Sequence, residues 1–356
     1  MNSVSISLEG HAYEVLVGAG ASASAGDLTA GRDRVAVLAD QRVVALHGPL
    51  LEAAPTLEVL AGESLKTLEG LGRVLEFCAT SGLSRGSVLA AYGGGTVGDL
   101  GGLAAALYKR GIAVLQVPTT LLAQVDASVG GKTAINLASG KNLAGSFHHP
   151  AAVLCDTRLL ETLDDAELRS GLGEVIKTAI IGGEEALELV ERRLDRLCER
   201  DPAALAEVVE LCVRVKARVV AADPEERGSR RVLNLGHTFA HAIELAAGFG
   251  RVPHGVAVAV GLSLAARAAE RSSGAPAALT ARTLRALDRA GLPSSLADLR
   301  EAYGLQDELS PQALLHGLRH DKKGVVGAPE FVLARREGDV IMGVHLDENL
   351  LTDLLG

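Results

Sequence analysis

Tryptophan is absent from this 356-residue chain and aromatic residues make up only 3% of it, so aliphatic side chains must fill the core. Cysteine is scarce too. Cys78, Cys155, Cys198 and Cys212 stand far apart with no CxxC pair, which indicates neither a zinc ribbon nor a disulfide framework and fits a reducing cytoplasm. Met1–Gly10 has no basic stretch and carries Glu9 inside its first apolar segment, so it does not read as a signal peptide. The longest apolar run, around Val256–Ala266, falls short of the roughly 20 residues that span a bilayer. Positive charge is in deficit. Thirty-five Lys+Arg against 44 Asp+Glu leave a net charge of −9, which argues against a general nucleic-acid binder. A soluble, cytoplasmic protein with neither a membrane nor a nucleic-acid partner is expected. Any anionic ligand would require cations to be concentrated locally.

What is present fits a globular protein: 48% hydrophobic and 22% charged residues, in a chain long enough for two domains. Val4–Leu8 and Tyr13–Val17 resemble an opening hairpin. Arg34–Ala39, Leu57–Ala61, Val88–Tyr92, Ile112–Val117 and Ala152–Cys155 are short strand-like runs, several separated by helix-length segments such as Leu65–Ser81 and Leu100–Arg110. This alternation predicts an α/β domain with a mostly parallel, Rossmann-like sheet over residues 1–156. Residues 157–356 read as an all-α domain, with helices at Asp164–Ile181, Glu184–Arg200, Pro202–Ala222, Arg231–Ala247, Pro253–Arg271 and Pro276–Ala290. A strand pair is expected near Phe331–Leu333 and Val340–Met342. A site shared by two such domains is expected in the cleft between them.

Gly93-Gly94-Gly95-Thr96-Val97-Gly98-Asp99 follows a predicted strand and precedes a predicted helix, where backbone N–H groups suit a pyrophosphate. The match to GxGxxG is weak alone. No acidic residue lies between Asp99 and Asp126 to bind a ribose in the usual place. Gly130-Gly131-Lys132-Thr133 is not a Walker A loop, because Asp126 stands where that pattern needs glycine. Arg110, Lys132, Lys141 and Asn142 are either solvated surface groups or donors for a phosphate or carboxylate. In the helical half His237 and His241 are four residues apart, and His254 and Glu174 occur on other predicted helices. Glu174 with two histidines could close a zinc site; His237 with His241 is the rival pairing, and spacing leaves both open. Lys216 sits among polar helix positions and reads equally well as solvated.

These segments together resemble the 3-dehydroquinate synthase family of sugar-phosphate cyclases. The resemblance runs from about Ala61 to Leu333 and rests on GGGTVGDLGG at 93–102, QVPTTLLAQVDASVGGKTAIN at 116–136, GKNLAGSF at 140–147, GLGEVIKTAI at 171–180 and LNLGHTFAHAIE at 233–244. It implies an NAD-binding α/β domain, a helical metal-binding domain and a homodimer. It makes Glu174, His237 and His254 the ligands of zinc, with cobalt as the alternative, and frees His241 for substrate or proton transfer. Glu63, Lys66, Gly94, Gly95, Thr96, Gly98, Asp99, Thr119, Thr120, Lys132, Lys141, Leu159 and Thr162 match NAD-contacting positions. Lys132, Lys177, Glu226, Asn234 and His241 match catalytic ones. Arg110, Asp126, Asn142, Lys216, Arg230 and Lys322 match substrate contacts, with Lys323 the alternative to Lys322 and Arg110 reaching a neighbouring subunit's phosphate site.

The implied substrate is 3-deoxy-arabino-heptulosonate 7-phosphate, a small sugar with a phosphate and a carboxylate. The implied chemistry is transient oxidation at C5, β-elimination of phosphate, re-reduction, ring opening and aldol closure to 3-dehydroquinate, a carbon–oxygen lyase reaction of the shikimate pathway. Alternatives are a cyclase making 2-deoxy-scyllo-inosose or a valiolone, a metal-dependent polyol dehydrogenase, and a catalytically silent regulator. The sequence departs from the family pattern at Pro224, Ala240 and Val256. Position 256 usually holds Glu, so a carboxylate supporting the metal ligands is expected to be missing there.

Overall fold

The computed structural model describes residues 1–320 and 329–356. Lys322 and Lys323 therefore lie outside the described residues. The chain forms two compact units, one of Met1–Asp164 with Arg200–Glu225 and the other of Asp165–Glu199 with Glu226–Gly356. A single division at residue 156 differs from this at the short Thr157–Leu160 turn and in one long helix. The Pro202–Ala222 helix belongs to the first unit, because its apolar face packs on the opening hairpin and on Ala123–Ala127. Asp201 caps it, accepting from the Ala204 amide at 2.8 Å, with Pro202 in the first turn.

The first unit is built on β1 (Asn2–Leu8), β2 (His11–Val17), β3 (Val35–Asp40), β4 (Thr56–Val59), β5 (Val88–Gly93), β6 (Ala113–Pro118), β7 (Lys132–Leu137), β8 (Gly140–Phe147) and β9 (Ala152–Cys155). Seven of these form one sheet in the order β1-β2-β9-β6-β5-β3-β4. Only the β1–β2 pair is antiparallel; β2–β9, β9–β6, β6–β5, β5–β3 and β3–β4 are parallel. The sheet is covered on both faces, and period-two alternation sorts its side chains. Ala36, Leu38, Leu89 and Ala91 join one apolar cluster with Leu71, Val74, Leu100 and Leu103 of the flanking helices. Val37, Ala39, Ala90 and Tyr92 join the opposite cluster with Leu115, Val117 and Leu154. β7 and β8 form a separate antiparallel hairpin that sequence periodicity did not reveal. Ile135 anchors it in the first cluster.

The second unit is helical, as expected. Its central helix, His254–Ser272, is buried from Gly255 through Ala265, and Asp165–Gly182, His237–Ala247 and Ala277–Arg289 pack on it. The expected Arg231–Ala247 helix is interrupted: a 3₁₀ turn at Ser229–Asn234 ends before Gly236, whose φ of 78° starts a fresh helix at His237. The strand pair is present as β10 (Phe331–Arg336) and β11 (Asp339–Val344), followed by an unexpected helix at Glu348–Leu355. Among the described residues no helix is long and apolar enough to cross a membrane.

Candidate active site and metal centre

Two helices of the second unit cross at glycines. A Cβ on Gly173 would lie 2.2 Å from the Gly255 carbonyl oxygen, and one on Gly255 would lie 1.7 Å from that of Ser170. The backbones can approach this closely only without side chains there. The residues next in sequence, Glu174 and His254, are thereby brought together. His237 enters from the start of its own helix. Glu174 Oε1 stands 3.6 Å from His237 Nε2 and 3.4 Å from His254 Nε2. One donor atom from each of the three lies within 4.8 Å of the others.

The donor set suits zinc or cobalt: two imidazoles and a carboxylate on three rigid helices. Each imidazole has its other nitrogen engaged. His237 Nδ1 is 3.3 Å from the Leu235 carbonyl, and His254 Nδ1 is 3.3 Å from Glu244 Oε2. Such outer contacts leave Nε2 as the ligand atom in both rings. Burial, reinforced by the Lys177 ammonium, pushes His237 down to about 3, so this ring is neutral as a ligand must be. Burial opposes a charge on His254, but its hydrogen bonds to Glu174 and Glu244 outweigh that and raise it to about 10, so a cation bound at Nε2 has to displace the proton there. His241 does not join the group. It is exposed, and its ring meets His237 edge-on at 5.6 Å between centroids. The geometry thus favours the set from three helices over the His237/His241 pair.

Lys177 is 2% exposed and its Nζ lies 2.5 Å from Glu174 Oε2. A buried ammonium beside a carboxylate and two imidazoles can hold an anionic substrate group or move a proton. Arg230 is buried in the adjoining 3₁₀ turn. Asn234 Nδ2 donates to Glu226 Oε1 at 3.2 Å, and Glu226 adopts a φ of 56°. Left-handed backbone at a non-glycine residue is costly and concentrates at functional sites.

In the first unit β5 runs into Gly94 and the Gly95–Leu107 helix, whose opening turn presents backbone N–H groups. Gly94, Gly95 and Gly98 line a depression with Pro118, Ala127 and Ser128. A Cβ on Gly94 would come within 3.0 Å of the Thr120 methyl. A depression walled by glycines at a helix N-terminus fits the pyrophosphate of NAD. Thr119 is buried, its amide bonded to the Gly93 carbonyl at 3.0 Å, and Thr96 Oγ1 accepts from the Gly62 amide at 3.3 Å. The buried Lys66 Nζ donates to Asp99 Oδ2 at 2.6 Å and to Asn142 Oδ1 at 2.5 Å. Burial pushes the Asp99 carboxyl up, against the pull of that ammonium. Asn142 (φ 52°) is fixed by Asn136, which accepts its amide at 2.9 Å and donates to Glu63 Oε2 at 2.7 Å.

Lys216 is not solvated: it is 6% exposed, and its Nζ lies 2.5 Å from both the carbonyl and Oδ1 of Asp126. Asp126 sits on a single π-helical turn, Ala123–Ala127. Lys132 and Arg110 are exposed and Lys141 is half-buried, with Arg110 in the left-handed region at φ 66°. Leu159 lies in the sheet core, and Thr162 Oγ1 meets His47 Nε2 at 2.7 Å.

Family profiles decide the relationship. The profile described as 3-dehydroquinate synthase N-terminal matches residues 56–170, and the one described as 3-dehydroquinate synthase C-terminal matches residues 171–324. The chain belongs to the 3-dehydroquinate synthase family. A 3-dehydroquinate synthase from Caulobacter vibrioides is 42% identical over 368 positions, covering 100% of this chain and 98% of the relative. Among solved structures, 2-deoxy-scyllo-inosose synthase complexed with carbaglucose-6-phosphate, NAD+ and Co2+ superposes with a TM-score of 0.87 at 26% identity, over 99% of both chains. The 2-epi-5-epi-valiolone synthase ValA from Streptomyces hygroscopicus subsp. jinggangensis 5008, with NAD+ and Zn2+ bound, gives 0.85 at 27% identity, over 96% of this chain and 95% of that one.

Two residues of this family member escaped the sequence reading. Glu244 supplies behind His254 a carboxylate that Val256 does not. The signal was legible: Glu244 is seven residues beyond His237, two helical turns along the same face. Asn136, which props Asn142, ends the 116–136 motif but carries no spacing that marks a support.

Proposed function

We infer that this protein is a 3-dehydroquinate synthase, converting 3-deoxy-arabino-heptulosonate 7-phosphate to 3-dehydroquinate and phosphate. The observation that carries the reading is the Glu174–His237–His254 group with Lys177 against it, in a chain alignable end to end with enzymes of that name. When bound, NAD would supply reversible hydride acceptance from C5, and zinc or cobalt would supply Lewis acidity toward the neighbouring hydroxyls. Glu174, His237 and His254 hold the cation. Gly94, Gly95, Thr96, Gly98, Thr119 and Thr120 cradle the dinucleotide, with Glu63, Lys66, Asp99, Lys141, Leu159 and Thr162 at its flanks.

The remaining residues orient and neutralise. Lys177, Asn234, Glu226 and His241 serve proton transfer and contacts to the ring hydroxyls, and Lys132 serves both dinucleotide and substrate. Arg110, Lys216, Arg230 and Lys322 hold the two anionic ends, with Asp126 and Asn142 fixing the sugar. The burial of Lys177, Lys216 and Arg230 supports this division, since a buried cation needs an anionic partner and is strongest where water is excluded. A homodimer in the cytoplasm completes the proposal; four unbridged cysteines, three of them buried, fit a reducing compartment.

The test is substrate choice. The purified protein with NAD and zinc is offered the heptulosonate phosphate, glucose 6-phosphate or sedoheptulose 7-phosphate, and the carbocyclic product is identified. Dehydroquinate from the first substrate alone supports the proposal. Turnover only with either of the others would assign a different cyclase.

A further inference from the structure

Glu244 is a buried carboxylate that the chemistry above does not use; it is 4% exposed. Burying a carboxylate away from water is expensive unless something accepts its charge. Its position on the His237–Ala247 helix gives it a partner on another helix. Oε2 stands 3.3 Å from Nδ1 of His254, the ring whose Nε2 lies 3.4 Å from Glu174 Oε1.

We propose that Glu244 is a positioning residue of the metal centre: its carboxylate accepts the Nδ1–H of His254 and so sets the tautomer and rotation of that ring. The inference rests on the reading that Glu174, His237 and His254 hold a divalent cation. The two imidazoles are supported differently. His237 leans on a backbone carbonyl of its own segment, that of Leu235, whose place is set by the chain. His254 begins its helix at a residue preceded by Pro253, with no side-chain cap, and its ring is 34% exposed. The ring at the open side of the centre is thus the one that depends on a side chain. Because Glu244 shares a helix with His237, it also ties one imidazole to the element that carries the other. A carboxylate at Nδ1 further strengthens the imidazole as a donor, which a carbonyl does less.

The test uses the full chain with Glu244→Gln and Glu244→Ala. Zinc affinity is measured by competition with a chromophoric chelator, and the absorption spectrum of the Co2+-loaded protein is recorded. Thermal unfolding of the metal-free proteins is followed in parallel. Glutamine keeps an acceptor but loses the charge, so zinc affinity is expected to fall about 10-fold in Glu244→Gln and about 100-fold in Glu244→Ala. The Co2+ bands should shift in both. Wild-type affinity and spectrum in the variants would overturn the inference, and a fall confined to metal-free unfolding would assign Glu244 a purely structural task. If Glu244→Ala does not fold, the near-isosteric Glu244→Gln decides alone by the same criterion. A wild-type protein that holds no tight zinc ion would instead remove the metal reading itself, and this inference with it.

Discussion

Gly173→Ala adds one methyl group where two helix backbones touch, and its consequences reach the metal centre. The new Cβ would lie 2.2 Å from the Gly255 carbonyl oxygen, whereas ordinary contact begins near 3.4 Å. The crossing must therefore open by about 1.2 Å (3.4 − 2.2), and no side chain can swing aside because the obstructing atom is backbone. Overpacking of this kind costs about 1–3 kcal/mol. For a unit of this size that lowers Tm by about 2–4 °C per kcal/mol. The larger effect is on geometry. Glu174 follows Gly173 and His254 precedes Gly255, so opening the crossing moves a carboxylate and an imidazole apart. Ligand distances in metal sites hold to within about 0.2 Å, and a displacement near 1 Å should weaken zinc about 100-fold or more. Thermal unfolding of the metal-free protein and chelator competition for zinc read the two effects separately. Gly255→Ala, with a 1.7 Å approach to the Ser170 carbonyl, should be worse on both counts. A Gly173→Ala protein that binds zinc with wild-type affinity would refute the view that this crossing builds the site.

Three further outcomes follow from the same structure. His254→Ala should abolish stoichiometric zinc while His241→Ala retains it; equal metal loss in both would restore the rival pairing. Burial disfavours the Asp156 carboxylate, but hydrogen bonds from Arg158, Ser22 and the Gly20 amide prevail and hold it at about 2 instead of 3.8. Its folded pKa is depressed, so its contribution of about 2 kcal/mol is present above roughly pH 4 and lost as pH falls through about 2. Asp156→Asn should therefore lower stability at neutral pH by that amount in urea unfolding and converge with wild type in strong acid; a constant gap at every pH would contradict this. Arg282 bonds Glu184, Glu191 and Glu337 at 2.7–3.0 Å, joining two helices to the β10–β11 turn. Arg282→Ala should cost about 1–2 kcal/mol at low salt and less at high salt, and an unchanged Tm at both would show the network to be ornamental.

Much of this architecture was legible because aliphatic strands and long amphipathic helices announce themselves locally. β5, β6 and β9 are short apolar runs, and the parallel sheet follows from their alternation with helices. The β7–β8 hairpin was hidden because Gly130, Gly131 and Gly140, the half-exposed Lys141 and the exposed Asn142 read as loop. The π turn carrying Asp126 has no propensity signature at all. Tertiary partners are also silent in chain order: the Pro202–Ala222 helix looks like its helical neighbours, yet packs on the sheet unit, which is why Lys216 is buried against Asp126 and not solvated. The metal residues were visible as residue types. Their grouping was not, because spacing treats His241 and His254 alike, whereas the Gly173/Gly255 crossing distinguishes them.

The central claim is a redox cycle that closes on itself, and it is tested by counting. The zinc-loaded protein is given excess heptulosonate phosphate and a substoichiometric amount of NAD, and phosphate release and NADH absorbance are followed together. The account predicts many phosphates released per NAD with no net NADH. Accumulation of NADH in step with product, or turnover that stops at one equivalent of NAD, would contradict it.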